Sequence, residues 1–152
     1  MSIIELSKSI VRGATPAPVF EDLLAGDPSC EPRILKVLIV DACTQSGALI
    51  EAMVRHVARF EPHITRVTTS SAARFALAAD HFDAVIADFD LAGEVLATIG
   101  KNSRTSVIVV AEHLTLRMSR EASANGAVAC FSKDNVSPKL IEAAVLGEQE
   151  RR

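Results

Sequence analysis

The chain has 152 residues, a length that suits one domain with a sizeable buried core. Hydrophobic residues make up 49% of it and the formal net charge is −3, so the composition excludes a disordered chain and offers no basic surface for nucleic acid or a membrane. There is no apolar run long enough to span a bilayer, and the N-terminus is not a secretory signal.

The first 33 residues differ from the rest of the chain. Their apolar residues fall into two short groups that predict short helices: Ile3, Leu6 and Ile10, then Val19, Phe20, Leu23 and Leu24. The breaker-rich stretches GATPAP and GDPSCEP surround the second group, and helices this short need a surface to dock on. We expect an N-terminal extension over residues 1–33, either a loosely ordered leader or an arm for docking or dimerisation.

From residue 34 onward, predicted strands and helices alternate. The run ILKVLIVDA predicts a buried strand, and apolar residues at helical spacing predict a helix over 46–60: Leu49, Ile50, Met53, Val57 and Phe60. A weaker strand follows over 64–69, then an Ala-rich helix over 71–80 with Ser70 or Ser71 as its N-cap. The run DAVIAD predicts the third strand, and residues 93–100 form a very short helix at most.

The second half of the chain continues the same alternation. A fourth strand is predicted over 106–111, a helix over 114–125 and a fifth strand over 127–132. Ser137 as N-cap and Pro138 in the first turn open a last helix, whose apolar face holds Leu140, Ile141, Ala144 and Val145. Apolar strands that alternate with helices indicate an α/β domain with a parallel sheet covered on both faces.

Charged residues follow three of the predicted strands. Asp41 ends the first strand, Asp88 ends the third and Lys133 follows the fifth. Because sites in open parallel sheets form beyond the carboxyl ends of the strands, we expect these three side chains to meet. Neighbouring carboxylates require a cation nearby, and Mg²⁺ takes oxygen ligands of this kind. A lysine ammonium is a point charge for a phosphoryl oxygen, and an aspartate can itself accept a phosphoryl group.

The order and spacing of these residues resemble the receiver domain of two-component response regulators, over residues 34 to about 148. The segments VLIVDA, AVIADFDLAG and NGAVACFSKD carry the resemblance. It implies a flavodoxin-like (βα)5 sheet in the order 2-1-3-4-5. It also implies that Asp88 is the phosphoacceptor, that Lys133 assists it, and that Mg²⁺ would be bound by Asp41, Asp88 and the backbone carbonyl at Asp90.

The sequence departs from the family pattern at three site positions. Ala42 replaces a second acid that ligates the metal, Ala111 replaces a Thr or Ser whose hydroxyl reaches the phosphoryl group, and Cys130 replaces an aromatic switch residue. The region after Asp88 is also shorter than usual, which predicts a stubby third helix. The resemblance therefore implies an atypical receiver with weak Mg²⁺ binding and impaired or absent phosphorylation.

Each of these residues also has a purely structural interpretation. Asp41 would cap the helix after the first strand, and Lys133 would form a plain ion pair with Asp88. Cys43 and Cys130 would be small buried apolar residues. The three cysteines of the chain form no CxxC pair and no disulfide framework, which favours a reducing cytoplasm. Asp90, Glu112 and His113 would face water.

Three functional classes remain open. The first is a stand-alone receiver that signals by binding another protein, or a second copy of itself, through the fourth helix, the fifth strand and the fifth helix. The second is a phosphoacceptor that exchanges its phosphoryl group with a histidine kinase or phosphotransfer protein. The third is a receiver-fold sensor of a small ligand. We expect neither a hydrolase nor a DNA-binding protein, since no GxSxG motif, phosphate-binding glycine loop, helix-turn-helix segment or basic stripe is present.

Overall fold

The computed structural model describes residues 33–100 and 103–150, which form one parallel sheet with helices on both faces. The strands are β1 (Arg33–Val40), β2 (Phe60–Val67), β3 (Ala84–Asp88), β4 (Ser106–Ala111) and β5 (Ala129–Ser132). The helices are α1 (Thr44–Val54), α2 (Ser70–Ala79), α3 (Phe89–Ile99), α4 (Leu116–Ala124) and α5 (Pro138–Glu150). The sheet order is β2-β1-β3-β4-β5, so the flavodoxin-like prediction is confirmed. The predicted extension lies outside the described residues, apart from Arg33.

The central strands are buried on both faces, which explains their continuous apolar runs. Ile39 and Ile86 point into a core covered by α1 and α5. Leu38 and Val85 point the other way, into a core covered by α2, α3 and α4. Each fully buried side chain of this kind stabilises the fold by about 1.5–3 kcal/mol relative to an exposed one. None of the described helices is long and apolar enough to cross a membrane.

The first helix and the second strand differ from their predicted bounds. The predicted helix over 46–60 ends at Val54, and Phe60 is the first residue of β2 rather than the end of a helix. Val57 and Phe60 are buried against the same core as α1, so they continue the apolar spacing beyond the helix itself. Pro62 obscured the strand in the sequence, yet it is tolerated because β2 lies at the edge of the sheet.

The third helix is longer than predicted. It runs for 11 residues from Phe89 to Ile99, so the predictions of a helix limited to 93–100 and of a stubby element are wrong. Ala92, Val95 and Leu96 recur at helical spacing and are buried against the sheet. This apolar face stabilises the helix from its first turn, and it makes α3 begin directly after Asp88.

Two helix caps test the capping predictions. Ser137 Oγ accepts a hydrogen bond from Leu140 N at 3.3 Å, and Pro138 is the first residue of α5, as predicted. The N-cap of α2 is Thr69, whose Oγ1 accepts a hydrogen bond from Ala72 N at 3.0 Å. The prediction of Ser70 or Ser71 as the cap was therefore wrong by one or two residues.

Candidate functional site

Asp41 follows β1 and is almost completely buried, with 4% of its surface exposed. Its Oδ1 accepts a hydrogen bond from Cys43 N at 2.9 Å, which folds the turn between β1 and α1. The N-cap of α1 is Cys43, whose Sγ accepts from Ser46 N, so Asp41 does not cap this helix. Cys43 is exposed, which contradicts the prediction of a buried small residue.

Lys133 brings the two predicted carboxylates together. Its Nζ lies 3.0 Å from Asp41 Oδ2 and 3.0 Å from Asp88 Oδ1. Its backbone N–H donates to Ala111 O at 2.8 Å, which continues the pairing of β4 with β5 and fixes where the side chain starts. The structure therefore gathers Asp41, Asp88 and Lys133 at the carboxyl edge of the sheet, where the strand ends meet.

The charges in this group determine the protonation of Lys133. Burial by itself would lower the pKa of the lysine, but hydrogen bonds and charge attraction from Asp88 and Asp41 outweigh it and raise the pKa above its ordinary value. Lys133 is therefore a cation at neutral pH. It donates to both carboxylates at once and offsets part of their mutual repulsion.

Asp88 and Asp90 have different environments. Asp88 immediately precedes α3, but its side chain makes no capping hydrogen bond, since Oδ1 contacts Lys133. Asp90 lies in the first turn of α3 and is exposed. As a residue of a regular helix, it offers its carbonyl oxygen to the N–H group four residues later. The backbone ligand that the family resemblance implied at Asp90 therefore already accepts one helical hydrogen bond and keeps a second lone pair.

Mg²⁺ requires oxygen ligands in near-octahedral geometry and usually combines one or two carboxylates with several waters. Both oxygens of Asp41 already accept hydrogen bonds, and Asp88 Oδ1 contacts Lys133. Ala42 has no side-chain oxygen, and the carbonyl of Asp90 belongs to α3. Within residues 33–100 and 103–150, no group of three His, Cys, Asp or Glu side chains is arranged to hold a metal ion. These residues do not fit a preformed magnesium site.

A cleft of about 370 Å³ opens over this group. It is lined by Asp41, Ala42, Cys43, Asp88, Phe89, Asp90, Ala111, Glu112, His113, Met118 and Lys133. Glu112 and His113 are exposed, as predicted, and the lining also includes the apolar side chains of Phe89, Ala111 and Met118. Phe89 and Met118 were not predicted as site residues from the sequence. Phe89 directly follows Asp88, and this position in the sequence indicates that it lies near the site. Nothing in the sequence around Met118 indicates the same.

Cys130 lies apart from the cleft. It is half-buried in β5 among the residues under α4, and its Sγ lies 3.9 Å from Ser119 O. Burial raises the pKa of this thiol, which the contact with Ser119 only partly offsets. Cys130 is therefore a protonated, unreactive thiol that offers no aromatic ring at the switch position.

Several solved structures share this architecture. No protein-family model and no curated protein matches the sequence. A response regulator receiver protein from Burkholderia phymatum is 25% identical, over 77% of this chain and 96% of that one, with a TM-score of 0.61. A CheY-like receiver domain protein from Methanospirillum hungatei JF-1 is 17% identical, over 78% and 99%, with a TM-score of 0.64. A response regulator from Burkholderia pseudomallei, solved with a phosphorylated aspartic acid, calcium ion and citrate, is 15% identical, over 77% and 70%, with a TM-score of 0.61.

Proposed function

This chain has the fold of a response-regulator receiver domain, and on that premise we propose that it signals by binding another protein, with phosphorylation of Asp88 impaired or absent. It would act as a cytoplasmic module of a two-component system and not as an enzyme on a separate substrate. The observation that carries this proposal is that Ala42 and Ala111, which have no side-chain oxygen, complete the lining of the cleft that holds Asp41, Asp88 and Lys133. No side-chain oxygen at Ala42 or Ala111 supplements these groups.

The chemistry of phosphoryl transfer supports an impaired acceptor. Such a transfer depends on positioning and on positive groups that stabilise the charge of the phosphoryl oxygens. Lys133 is one such group, but Ala111 offers no hydroxyl to a phosphoryl group on Asp88. A ligand shifts a conformational equilibrium only by interacting differently with the two states. Because Ala111 has no hydroxyl, a phosphoryl group on Asp88 would change the conformation at the end of β4 only slightly.

The proposed binding surface is formed by α4, β5 and α5. Leu116 on α4 is 67% exposed, and Leu140 on α5 is 39% exposed. Both are large hydrophobic side chains on the helices that flank the edge strand β5, where an apolar partner surface would bury them. The partner we propose is a histidine kinase, a phosphotransfer protein or another signalling protein. A second copy of this chain, bound through the same surface, is the alternative partner.

The proposal is tested by intact-mass analysis after incubation with Mg²⁺ and acetyl phosphate. In a working site, a carboxylate oxygen of Asp88 would attack phosphorus and acetate would leave, which adds one phosphoryl group. We expect no adduct on the wild-type chain, while a receiver domain known to autophosphorylate serves as the positive control. One adduct per chain on the wild type would contradict the proposal.

A working phosphoacceptor is the second candidate, favoured by the position of Asp88. Its side chain is 16% exposed, it lines the cleft, and Lys133 lies 3.0 Å away. This candidate predicts an adduct that disappears in Asp88→Ala and persists in Asp90→Ala. The second variant is a matched control, because it removes an exposed carboxylate two residues further along the same segment.

A small-ligand sensor is the third candidate, favoured by the mixed lining of the cleft. Phe89, Ala111 and Met118 line it together with the charged groups, so the cleft would suit a molecule with both polar and apolar parts. A thermal-shift screen against small metabolites that carry both polar and apolar groups would support it if a compound raises the melting temperature of the wild type but not of Met118→Asp.

A further inference from the structure

We propose that the ammonium group of Lys133 takes the place of a divalent cation between Asp41 and Asp88, so that this site does not bind Mg²⁺ in the low millimolar range. The inference rests on the proposed function in that it concerns the same cleft, and it explains why phosphoryl transfer would be impaired. It concerns binding of the metal alone, which is measured without any phosphodonor.

The position of Lys133 supports this inference. Its Nζ lies 3.0 Å from an oxygen of each carboxylate, between the two. The side chain of Asp41 is 3% exposed and that of Lys133 is 16% exposed, so water screens this contact only weakly. An ammonium group has three donors, and two of them already serve the two carboxylates. The ion pair is therefore complete without a metal.

Most of the carboxylate oxygens that Mg²⁺ would use already accept from other donors. Asp41 Oδ1 accepts from Cys43 N, and Asp41 Oδ2 accepts from Lys133. Asp88 Oδ1 also contacts Lys133, which leaves one oxygen of Asp88 without a recorded contact among the described residues. Mg²⁺ keeps several waters but still needs carboxylate ligands at about 2.0–2.1 Å in strict geometry. Each carboxylate oxygen keeps a second lone pair, but a Mg²⁺ ion on it would lie close to the ammonium of Lys133, which repels it.

Displacing Lys133 is unfavourable for two reasons. The ammonium would then lie beside a divalent ion of the same sign, and it would lose both of its partners while still largely buried. Removing the charge of Lys133 abolishes both penalties and frees two carboxylate oxygens. The chain that lacks this charge should therefore bind Mg²⁺ more tightly than the wild type does.

Isothermal titration calorimetry with Mg²⁺ on the full chain tests the inference. We expect no saturable binding by the wild type up to about 10 mM, and binding at least tenfold tighter by Lys133→Met, which keeps the length of the side chain. The control is Lys139→Met, since Lys139 is exposed in the first turn of α5 and pairs with no described carboxylate. It should behave as the wild type does. Saturable wild-type binding that Lys133→Met weakens or leaves unchanged overturns the inference.

A measurement on the wild type alone covers the case in which Lys133→Met fails to fold. Mn²⁺ broadens the amide resonances of residues near a bound ion, and the full chain is titrated in its native state. We expect no saturable broadening centred on the residues after β1 and β3, 41–43 and 88–90. Saturable broadening centred there shows that a divalent ion enters the site beside Lys133, and it overturns the inference.

The inference and the proposed function fail in different experiments. If the wild type binds Mg²⁺ but gains no phosphoryl group from acetyl phosphate, the inference is wrong and the proposed function stands. If it binds no Mg²⁺ but gains a phosphoryl group on Asp88, the proposed function is wrong and the inference stands. The calorimetric and mass measurements therefore separate the two statements.

Discussion

Lys133 Nζ lies 3.0 Å from Asp41 Oδ2, although 92 residues separate the two along the chain. The contact joins the end of β1 to the end of β5, with β3 and β4 between them in the sheet. Since Asp41 is almost completely buried, this ammonium is the main compensation for its charge. The ion pair therefore stabilises the carboxyl edge of the sheet and also holds the charged groups of the cleft in place.

Replacement of Asp41 should destabilise the fold, and more strongly when both its charge and its hydrogen-bond acceptor are removed than when only the charge is removed. Asp41→Ala removes the partner of a largely buried cation and the acceptor for Cys43 N, so we expect a loss of about 3 kcal/mol in the free energy of unfolding. Asp41→Asn keeps the shape and the acceptor but not the charge, so its loss should be smaller. Urea denaturation at pH 7 measures both.

The exposed carboxylate of Asp90 provides the control for these variants. Asp90→Asn removes the same charge by the same chemical change in the first turn of α3, where the side chain faces solvent. We expect a change within about 0.5 kcal/mol. Equal losses for Asp41→Asn and Asp90→Asn would contradict a stabilising role for the buried pair.

The stability of the chain should fall at alkaline pH because of Lys133. Asp88 and Asp41 raise the pKa of this lysine in the folded state, despite the opposing effect of burial. A raised pKa contributes stability that is fully present below the unfolded value of about 10.4 and is lost as the pH rises through the folded value. The urea midpoint should therefore fall more steeply above about pH 10 for the wild type than for Lys133→Met.

The composition simplifies this experiment. The chain contains no tyrosine, so no phenol titrates in the same range as the lysines. The remaining lysines and the cysteines are common to both proteins, and their contributions cancel when the two pH profiles are subtracted. Parallel profiles for the wild type and Lys133→Met would show that the ion pairs of Lys133 do not contribute to stability.

The sequence was most informative where burial alone determines the structure. The strands around Ile39, Ile86 and Ile108 are apolar on both faces, and a parallel sheet covered by helices follows from that pattern. Edge strand β2 was placed too late because it carries Pro62 and exposed polar residues such as Glu61, whose tolerance depends on the position of the strand in the sheet. The position of a strand in the sheet depends on tertiary contacts, so the local sequence does not indicate it.

The meeting of Asp41, Asp88 and Lys133 could be predicted because parallel strands share one carboxyl edge. Their mutual distances could not, since the double contact of Lys133 depends on the path of the chain after β5. The start of α3 was also missed, because Gly93 resembles a loop signal. In the structure Gly93 lies inside the helix, and apart from its chain neighbours and the adjacent backbone of the helix no atom lies within 4 Å of where a Cβ would stand.

The helical assignment of Gly93 leads to a paired prediction. Gly93→Ala should raise the free energy of unfolding by about 0.5–1 kcal/mol, because alanine favours a helix interior and nothing obstructs its Cβ. Gly100 ends the helix with φ +80°, so Gly100→Ala should lower the free energy by about 1 kcal/mol. Thermal or urea denaturation of both variants distinguishes a helix over 89–99 from a loop around residue 93, in which Gly93→Ala would not stabilise.

Side-chain oxygens introduced at positions 42 and 111 should restore Mg²⁺ binding and phosphorylation of Asp88. Ala42→Asp adds a carboxylate beside Asp41, and Ala111→Thr adds a hydroxyl in the cleft, which has room for it. We expect the double variant to bind Mg²⁺ at least tenfold more tightly than the wild type and to form a phosphoryl adduct with acetyl phosphate in intact-mass analysis. The adduct should disappear when Asp88→Ala is added.

The matched control replaces Thr with Val at the second position. Ala42→Asp with Ala111→Val gives the same carboxylate and nearly the same volume but no hydroxyl, so it should bind Mg²⁺ equally well and form less adduct. That result would assign metal binding and phosphoryl stabilisation to separate positions in one cleft. If the double variant with Thr binds no more Mg²⁺ than the wild type, the ammonium of Lys133 between Asp41 and Asp88 is the stronger barrier. The missing side chains at positions 42 and 111 would then not account for the weak site.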